Sequence, residues 1–531
     1  MLTRRNFLGA AAASAAAASR PPNIVLIMAD DMGFSDIGCY GGEVSTPNLD
    51  RLASRGVRFT QFANNARCCP TRAALLTGLY SHQTGVGGMV NDQKLPGYRG
   101  FLNDRCVTIA EALKPGGYRT LMAGKWHVGE ERPHWPTDRG FDRYFGLISG
   151  GSNYFTLDPE RAMALDDKPW RPRGPGFYMT DAFADHALEF LDEPATKRQP
   201  FFLYLAFTSP HWPLHARAQD IEKYKDRYRI GWDALRQERH QRMVKMDIVE
   251  ERWGLSPRDS RIPAWEDAPD KEWQARRMAV YAAQIDRMDQ NIGRLLGKLR
   301  DMGAEENTLI LFLADNGGCA EHLDIGFRGM QGVYKTHDGR DVRLGNDPKV
   351  MPGPDDTFQS YGMEWANASN TPLRLYKSWV HEGGIATPLI AHWPDGIRDP
   401  NRLSREPGHI IDIMATCTDV SGVPYPKTSG GRPITPLEGR SLAPILRGGK
   451  RTPHSALFWE HMGNRAARQD KWKIVAERRK PWELYDLEAD RTERHNLAAA
   501  QPDRVKQMEA LYDAWAKRCN VVPGPARGGE G

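Results

Sequence analysis

Four short apolar runs of the sequence each end at side chains that could bind ions or transfer protons. Each run has the continuous apolar pattern of a strand buried on both faces. The polar residues that follow the runs are Asp30 and Asp31 after Asn23–Ala29, Lys125 and His127 after residues 118–123, His211 after residues 201–207, and Asp315 and Asn316 after Thr308–Ala314. Carboxylate and amide oxygens are hard ligands that suit Ca²⁺ or Mg²⁺ and suit Zn²⁺ poorly. The two acidic pairs are therefore candidate ligands of one divalent cation, although a single aspartate is more often a turn residue or helix cap.

The elements that must position these side chains alternate between strands and helices. The clearest helical pattern covers residues 278–299, where apolar residues recur at steps of three and four. Such alternation predicts an α/β fold with a large, mostly parallel mixed sheet flanked by helices on both faces. Ligands of such sheets lie beyond the carboxyl ends of the strands, which is where the polar residues fall.

The chain divides into three predicted parts. Residues 1–20 form an export signal, residues 21–435 the catalytic α/β domain, and residues 436–531 a small α+β subdomain with a short antiparallel sheet and a helix. A Pro- and Gly-rich stretch at 424–440 has the composition of a linker. Two polar insertions, 214–275 and 319–370, are predicted to form the walls of a substrate pocket, because long loops of compact domains are usually functional or disordered.

The signal assignment depends on the first eight residues. Arg4 and Arg5 precede Asn6-Phe7-Leu8 and an alanine-rich stretch, which is typical of a twin-arginine export signal. The alternative is an alanine-rich N-terminal helix. The signal predicts a periplasmic or secreted protein.

Composition excludes several classes of protein. The 531 residues are 40% hydrophobic and 26% charged, which argues against a disordered, collagen-like or coiled-coil chain. The net charge is only +5 and no long basic run is present, so a nucleic-acid partner is not expected. Seven cysteines do not make a disulfide framework, and no apolar run reaches the roughly 18 residues of a membrane span.

One motif identifies a family. Residues 68–78 fit the pattern C-x-P-x-R-x-x-x-L-T-G. The first five positions alone would be a weak signal, and the trailing Leu-Thr-Gly makes it specific. Here the sequence resembles the sulfatase family of the alkaline-phosphatase-like superfamily. The resemblance covers residues 22 to about 497 and is closest to secreted bacterial arylsulfatases that also accept alkyl sulfates.

The resemblance implies that the motif cysteine is oxidised to Cα-formylglycine by a formylglycine-generating or sulfatase-maturing enzyme. Cys68 has Pro70 and Arg72 at the required offsets, whereas Cys69 does not. The hydrated aldehyde would offer one hydroxyl to attack sulfur, forming a covalent sulfated enzyme, and a second to expel sulfate. A helix that starts near Pro70 would direct its amides toward the anion, with Arg72 facing the modified residue.

The same resemblance assigns roles to the other polar residues. It implies that Asp30, Asp31, Asp315, Asn316 and the modified Cys68 bind one cation, with Ca²⁺ favoured over Mg²⁺. The G-K-W-H motif implies that Lys125 binds sulfate oxygens and that His127 contacts the formylglycine hydroxyl. The S-P-H motif implies that His211 protonates the leaving-group oxygen. The lysine that precedes Glu382-Gly383-Gly384 in the family corresponds to Lys377, which would bridge sulfate and the leaving group.

The predicted activity is hydrolysis of a sulfate ester to an alcohol and inorganic sulfate. A phosphonate or phosphodiester hydrolase of the same superfamily is the alternative enzyme, and a non-catalytic protein that binds sulfated glycans is the alternative outside catalysis. A two-zinc phosphatase is disfavoured, because it needs a Ser or Thr nucleophile and several histidine ligands. The sequence leaves open whether the substrate is an aryl, alkyl or sugar sulfate.

Overall fold

The computed structural model describes residues 20–326 and 334–522, which centre on one large sheet. Its eleven strands run in the order β12-β2-β11-β8-β1-β7-β3-β4-β5-β6, with β13 also paired to β2. The strands are β1 (Asn23–Ala29), β2 (Val57–Ala63), β3 (Arg119–Gly124), β4 (Arg143–Leu147), β5 (Met163–Leu165), β6 (Lys168–Trp170), β7 (Phe201–Ala206), β8 (Thr308–Ala314), β11 (Ala386–His392), β12 (Arg402–Ser404) and β13 (Gly408–His409). The predicted export signal lies outside the described residues except for Arg20.

The centre of the sheet is parallel. Strand β1 pairs in parallel with β7 and β8, β7 with β3, and β3 with β4. Strand β11 runs antiparallel to both β8 and β2, and β5 and β6 extend the other edge as antiparallel strands. The predicted mostly parallel mixed sheet is therefore confirmed.

Alternate residues of the central strands enter two separate hydrophobic layers. Val25 and Ile27 of β1 pack with helices on one face, whereas Ile24 and Leu26 pack on the other. Both faces of the large sheet must be shielded from solvent, because its central strands have no polar face. Helices pack on the sheet and provide this shielding. The helices are α1 (Pro47–Ser54), α2 (Cys68–Thr77), α3 (Ile109–Leu113), α4 (Met179–Asp192), α5 (Pro194–Arg198), α6 (Ala218–Glu222), α7 (Gly231–Lys245), α8 (Lys271–Asp301), α9 (Gly362–Ser369), α10 (Glu382–Ile385), α11 (Asp412–Ser421), α12 (Ala443–Leu446) and α13 (Pro502–Arg518).

A small second sheet forms the C-terminal part of the fold. It is antiparallel in the order β16-β17-β18-β19, and α13 packs on β17 and β18. Its strands are β16 (Leu457–His461), β17 (Asn464–Gln469), β18 (Trp472–Ala476) and β19 (Glu483–Asp486). Trp459 of β16 donates from Nε1 to the carbonyl of Asn64 at 2.8 Å, so this sheet is joined to the loop that leads into α2.

Two short ribbons complete the described strands. They are the parallel pair β9 (Arg343–Leu344) and β10 (Thr357–Phe358), and the antiparallel pair β14 (Thr428–Ser429) and β15 (Arg432–Pro433). The second ribbon lies within the stretch predicted as a linker. No helix among the described residues is long and apolar enough to cross a membrane.

Candidate active site

The register of the central strands brings the two acidic pairs together. Ala29 of β1 pairs with Ala314 of β8, so the residues that follow both strands leave the sheet at the same point. The backbone N–H of Asp31 donates to Asp315 Oδ1 at 3.2 Å, and Asn316 Nδ2 donates to Asp31 Oδ1 at 2.7 Å. All four predicted ligands, including Asp30, are at most 1% exposed. Residues almost 300 positions apart in sequence thus form one buried acidic cluster.

The acidic cluster has the donor set and the vacant acceptor atoms that a hard cation needs. Asp30 Oδ1 and Asn316 Oδ1 are buried and have no hydrogen-bond partner among the described residues. Leaving buried oxygens without a partner is costly, so their retention beside two further carboxylates points to a cation as the missing partner. Oxygen donors of this kind fit Ca²⁺ or Mg²⁺.

Three buried cations offset the charge of these carboxylates. Arg72 Nη2 lies 2.8 Å from Asp315 and 3.4 Å from Asp30, Lys125 Nζ lies 2.6 Å from Asp30, and Lys377 Nζ lies 2.8 Å from Asp31. Burial opposes ionisation of Asp30, but Lys125 and its other charged neighbours hold the pKa of this carboxyl well below its usual range. The guanidinium of Arg72 thus binds the acidic cluster, and the prediction that it faces residue 68 stays a prediction.

Cys68 and Cys69 differ in their surroundings although they are adjacent. Cys68 is the first residue of α2 and lines a cavity, and its Sγ lies within 4.8 Å of both Cys69 Sγ and a ring nitrogen of His127. The hydrogen bond with Cys69 and the charge of Lys125 hold the pKa of the Cys68 thiol well below its usual range, whereas burial raises that of Cys69. The helix N-terminus also favours negative charge at position 68. Cys68, which has the motif register, is thus the cysteine of this pair that lines the cavity.

Two histidines face this position from different strand ends. His211 follows β7, and its Nδ1 donates to the carbonyl of Trp212 at 2.6 Å, which directs Nε2 toward Lys377 Nζ at 3.4 Å and Asp31 Oδ2 at 3.4 Å. His127 follows β3 and contacts Cys68, and burial lowers its pKa to about 4. The structure thus brings all of the predicted catalytic residues to one edge of the sheet: Cys68, Arg72, Lys125, His127, His211 and Lys377.

Two glycines that carry no sequence motif let the chain pass close to both histidine rings. A Cβ atom on Gly150 would lie 3.3 Å from the His127 ring, and one on Gly151 would lie only 2.8 Å from the His211 ring. A side chain at position 151 would therefore displace His211. The glycine pair follows β4 and was not singled out by the sequence analysis, since glycines after a strand are common in turns.

The cavity beside Cys68 has a volume of about 160 Å³. Its lining comes from segments around positions 67, 89–91, 127–130, 150–161, 211–212 and 377. None of its described lining residues lies in 214–275 or 319–370, so the two insertions predicted to form the pocket walls do not line this cavity directly in the described part of the chain. Most of its lining residues follow strands β2, β3, β4 and β7.

Glu321 is a second residue that the motifs did not reveal. It accepts from Arg67 Nη1 at 2.6 Å and from Trp212 Nε1 at 2.7 Å, and it lies 3.6 Å from Lys377 Nζ. Burial opposes its ionisation, but Lys377 and Arg67 hold its pKa well below the usual range. Glu321 therefore fixes the side chains of three residues that line the cavity.

The Glu-Gly-Gly segment after Lys377 connects the two sheets. Glu382 accepts from Lys473 Nζ at 2.8 Å and lies 3.3 Å from Arg491 Nε, both in the C-terminal part of the chain. Gly317 must be a glycine for this packing, because a Cβ atom on it would lie only 1.9 Å from the carbonyl oxygen of Gly383. The segment thus holds the loop of Lys377 against the residues that follow Asn316.

Known protein families match this chain over most of its length. A family model described as Sulfatase covers residues 22–423, and one described as N-sulphoglucosamine sulphohydrolase, C-terminal, covers residues 374–516. The arylsulfatase of Klebsiella aerogenes is 34% identical over 80% of this chain and 92% of its own length. An uncharacterized sulfatase of Schizosaccharomyces pombe is also 34% identical, over 95% of each chain.

A solved structure is similar to the whole fold. Ps i-CgsB in complex with k-i-k-neocarrahexaose superposes with a TM-score of 0.68 at 24% identity, covering 96% of this chain and 95% of the other. It shares the large mixed sheet and the small C-terminal sheet. Together with the sequence matches, the fold and the converging motif residues show that this chain belongs to the sulfatase family and is a sulfuric ester hydrolase.

Proposed function

We propose that the protein hydrolyses sulfate esters through a formylglycine made from Cys68, with one divalent cation bound beside it. The observation that carries the proposal is that Cys68, His127, His211 and Lys377 line one cavity, while Lys377 and Lys125 also pair with the buried acidic cluster that has two vacant oxygens. The alternative phosphonate or phosphodiester hydrolase is less well supported, because such hydrolases vary the positions of Lys125, His127 and Lys377.

The acidic cluster would hold the cation. Asp30, Asp31, Asp315 and Asn316 supply hard oxygen donors, and Ca²⁺ is proposed over Mg²⁺ on the family resemblance alone. When bound, the cation would supply polarisation of a sulfate oxygen and offset the carboxylate charge. When formed, the formylglycine hydrate would supply one hydroxyl that attacks sulfur and a second that allows sulfate to leave.

The chain's own side chains perform the remaining tasks. Lys125 and Lys377 approach the cluster from two sides, so their ammonium groups can bind the oxygens of an anionic sulfuryl group between them. His127 lies against position 68, where it can take a proton during sulfate release. His211 and Lys377 stand at the side where the leaving-group oxygen departs, and His211 is proposed to give it a proton.

Export, maturation and substrate class can be proposed on the same basis. Residues 1–20 are proposed to direct twin-arginine export to the periplasm or beyond, and a formylglycine-generating or sulfatase-maturing enzyme is the proposed partner in biogenesis. The boundary between 21–435 and 436–531 stays a prediction. Sulfated sugars are proposed as substrates alongside aryl and alkyl sulfates, since the similar structure Ps i-CgsB was solved with k-i-k-neocarrahexaose.

A substrate panel tests the activity. The purified mature protein is expected to release sulfate from 4-nitrophenyl sulfate and from at least one sulfated glycan. Hydrolysis of 4-nitrophenyl phenylphosphonate and bis(4-nitrophenyl) phosphate should be slower by roughly 100-fold or more, because an organic substituent on phosphorus replaces one of the three free oxygens that a sulfate monoester offers to the lysines and the cation. Faster turnover of either phosphorus ester would favour the alternative hydrolase, and tight glycan binding without turnover would favour a binding protein.

Metal binding has a readout that does not depend on activity. Protein stripped by a chelator should unfold at lower temperature, and Ca²⁺ at about 100 times its Kd should restore about 2.7 kcal/mol of stability. Asn316→Ala should weaken binding in calorimetry, whereas Asn307→Ala, at the opposite end of β8, should not. Stripped protein whose melting temperature responds to neither Ca²⁺ nor Mg²⁺ would contradict the assignment.

A further inference from the structure

The cysteine form of the active site, before any oxidation of position 68, places three metal-ligand atoms of a softer kind together. The Sγ atoms of Cys68 and Cys69 and a ring nitrogen of His127 all lie within 4.8 Å of one another. All three residues are at most 5% exposed. Thiolate sulfur and imidazole nitrogen are ligands that Zn²⁺ prefers, in contrast to the carboxylates of the acidic cluster. The thiol form therefore has a soft ligand set that formylglycine would lack.

Two separate elements position these ligands. Cys68 and Cys69 are the first two residues of α2, whereas His127 follows β3. The backbone of His127 is left-handed, with φ at 58°, and its N–H donates to the carbonyl of Ile148 at 3.0 Å. A left-handed backbone is uncommon for a residue with a side chain, so this hydrogen bond helps to hold it. The helix start and the strand end thus fix the three ligands independently of each other.

The His127 ring has no strong partner outside this group. Its Nδ1 is buried and has no hydrogen-bond partner among the described residues. Its Nε2 lies 4.0 Å from Glu130 Oε1, which is beyond hydrogen-bond distance. The ring contacts the thiol of Cys68 instead. Coordination of an ion by His127 would therefore break no hydrogen bond to a carboxylate or a backbone carbonyl in the described part of the chain.

The charge around the cysteines also suits Zn²⁺. The neighbouring cations Arg72, Lys125 and Lys377 are each paired with a carboxylate of the acidic cluster at 2.8 Å or less. Two thiolates then balance the two charges of Zn²⁺, and the thiol protons leave to solvent when the ion binds. The ion would thus enter a neutral environment and not one dominated by unpaired cations.

We propose that the chain with an unconverted Cys68 binds one Zn²⁺ through Cys68, Cys69 and His127. Ligand atoms of tetrahedral zinc stand about 3.8 Å apart, so the three atoms must close by about 1 Å. Cys68 and His127 line the cavity, so the fourth position can hold a water molecule from it. Because the ligands belong to the thiol form, this binding does not depend on sulfatase activity, and it gives Cys69 a role that the motif does not require.

Metal uptake by the cysteine form tests the proposal. The full chain is produced in a host without a maturation enzyme, confirmed by mass to retain the Cys68 thiol, reduced, and stripped by a chelator. It should then bind one equivalent of Zn²⁺ in the presence of excess Ca²⁺. X-ray absorption of the zinc form should show two sulfur ligands at about 2.3 Å and one imidazole nitrogen at about 2.0 Å. Co²⁺ in place of Zn²⁺ should give sulfur-to-cobalt charge-transfer bands in the near ultraviolet.

Variants identify the ligands. Cys69→Ala and His127→Ala should each weaken Zn²⁺ binding by more than about 100-fold, since even groups that only hydrogen-bond to a metal ligand contribute about 10- to 100-fold. Cys106→Ala is the matched control, because this buried thiol donates to the Asn103 carbonyl at 3.3 Å and is not among the described cavity lining. Failure to take up zinc, zinc bound without sulfur, or unchanged affinity in Cys69→Ala overturns the proposal. Sulfate release by the converted protein is a separate measurement, so its failure would refute the proposed function and not the zinc site.

Discussion

Cys68→Ala is expected to abolish sulfate release, whereas Cys69→Ala should retain most of it. Removing the group that forms the covalent bond typically costs 10⁴-fold or more in kcat. Cys69 has no Pro and Arg at the motif offsets and does not line the cavity. Because it forms a hydrogen bond with Cys68, its loss should change turnover by no more than about tenfold.

Mass spectrometry of the peptide that contains both cysteines identifies the modified residue directly. The active protein should carry the aldehyde at position 68 and an unmodified thiol at position 69. Cys69→Ala provides the matched control, since it leaves only one cysteine in the motif. Fully active protein with an intact Cys68 thiol would contradict the formylglycine assignment, and an aldehyde at position 69 would contradict the register.

The strands that position the site were predictable where their burial is complete. Strands β1, β7 and β8 and most of β3 appear in the sequence as uninterrupted apolar runs. Helices cover both faces of such a parallel strand, so neither face is exposed to solvent and neither requires polar residues. Strand β17 could not be predicted from its own sequence. It reads Asn-Arg-Ala-Ala-Arg-Gln, and its pairing with β16 and β18 provides the context that its own sequence lacks.

In the candidate site, too, some residues could be predicted from the local sequence, whereas others depend on contacts that only the folded structure provides. The acidic pairs were visible because each directly follows a buried strand, and the sheet register then decides that they meet. Glu321 and Gly151 were not visible, because a lone glutamate or glycine in a loop is usually structural or solvated. Their importance comes from what lies opposite them in space, namely Lys377 and His211.

The geometry of His211 defines the proton that it can supply. Its Nδ1 donates to a backbone carbonyl, so a proton for the leaving group must be carried on Nε2, which requires the imidazolium form. Burial lowers the pKa of His211, while the carboxylate of Asp31 opposes this effect. An anionic substrate in the cavity adds further negative charge beside the ring and favours the protonated form.

The consequence is that loss of His211 should matter most when the leaving group needs a proton. Nitrophenolate departs with little help, whereas an alkoxide or sugar oxygen must be protonated. His211→Ala should therefore reduce kcat/KM for an alkyl or sugar sulfate by about 10²- to 10⁴-fold and for 4-nitrophenyl sulfate by much less. The comparison variant is Lys125→Ala, which should weaken both reactions similarly because Lys125 binds the shared sulfuryl group. Equal losses for both substrates in His211→Ala would assign it a positioning role, and Lys377, 3.4 Å from its Nε2, would then be the remaining candidate for the acid.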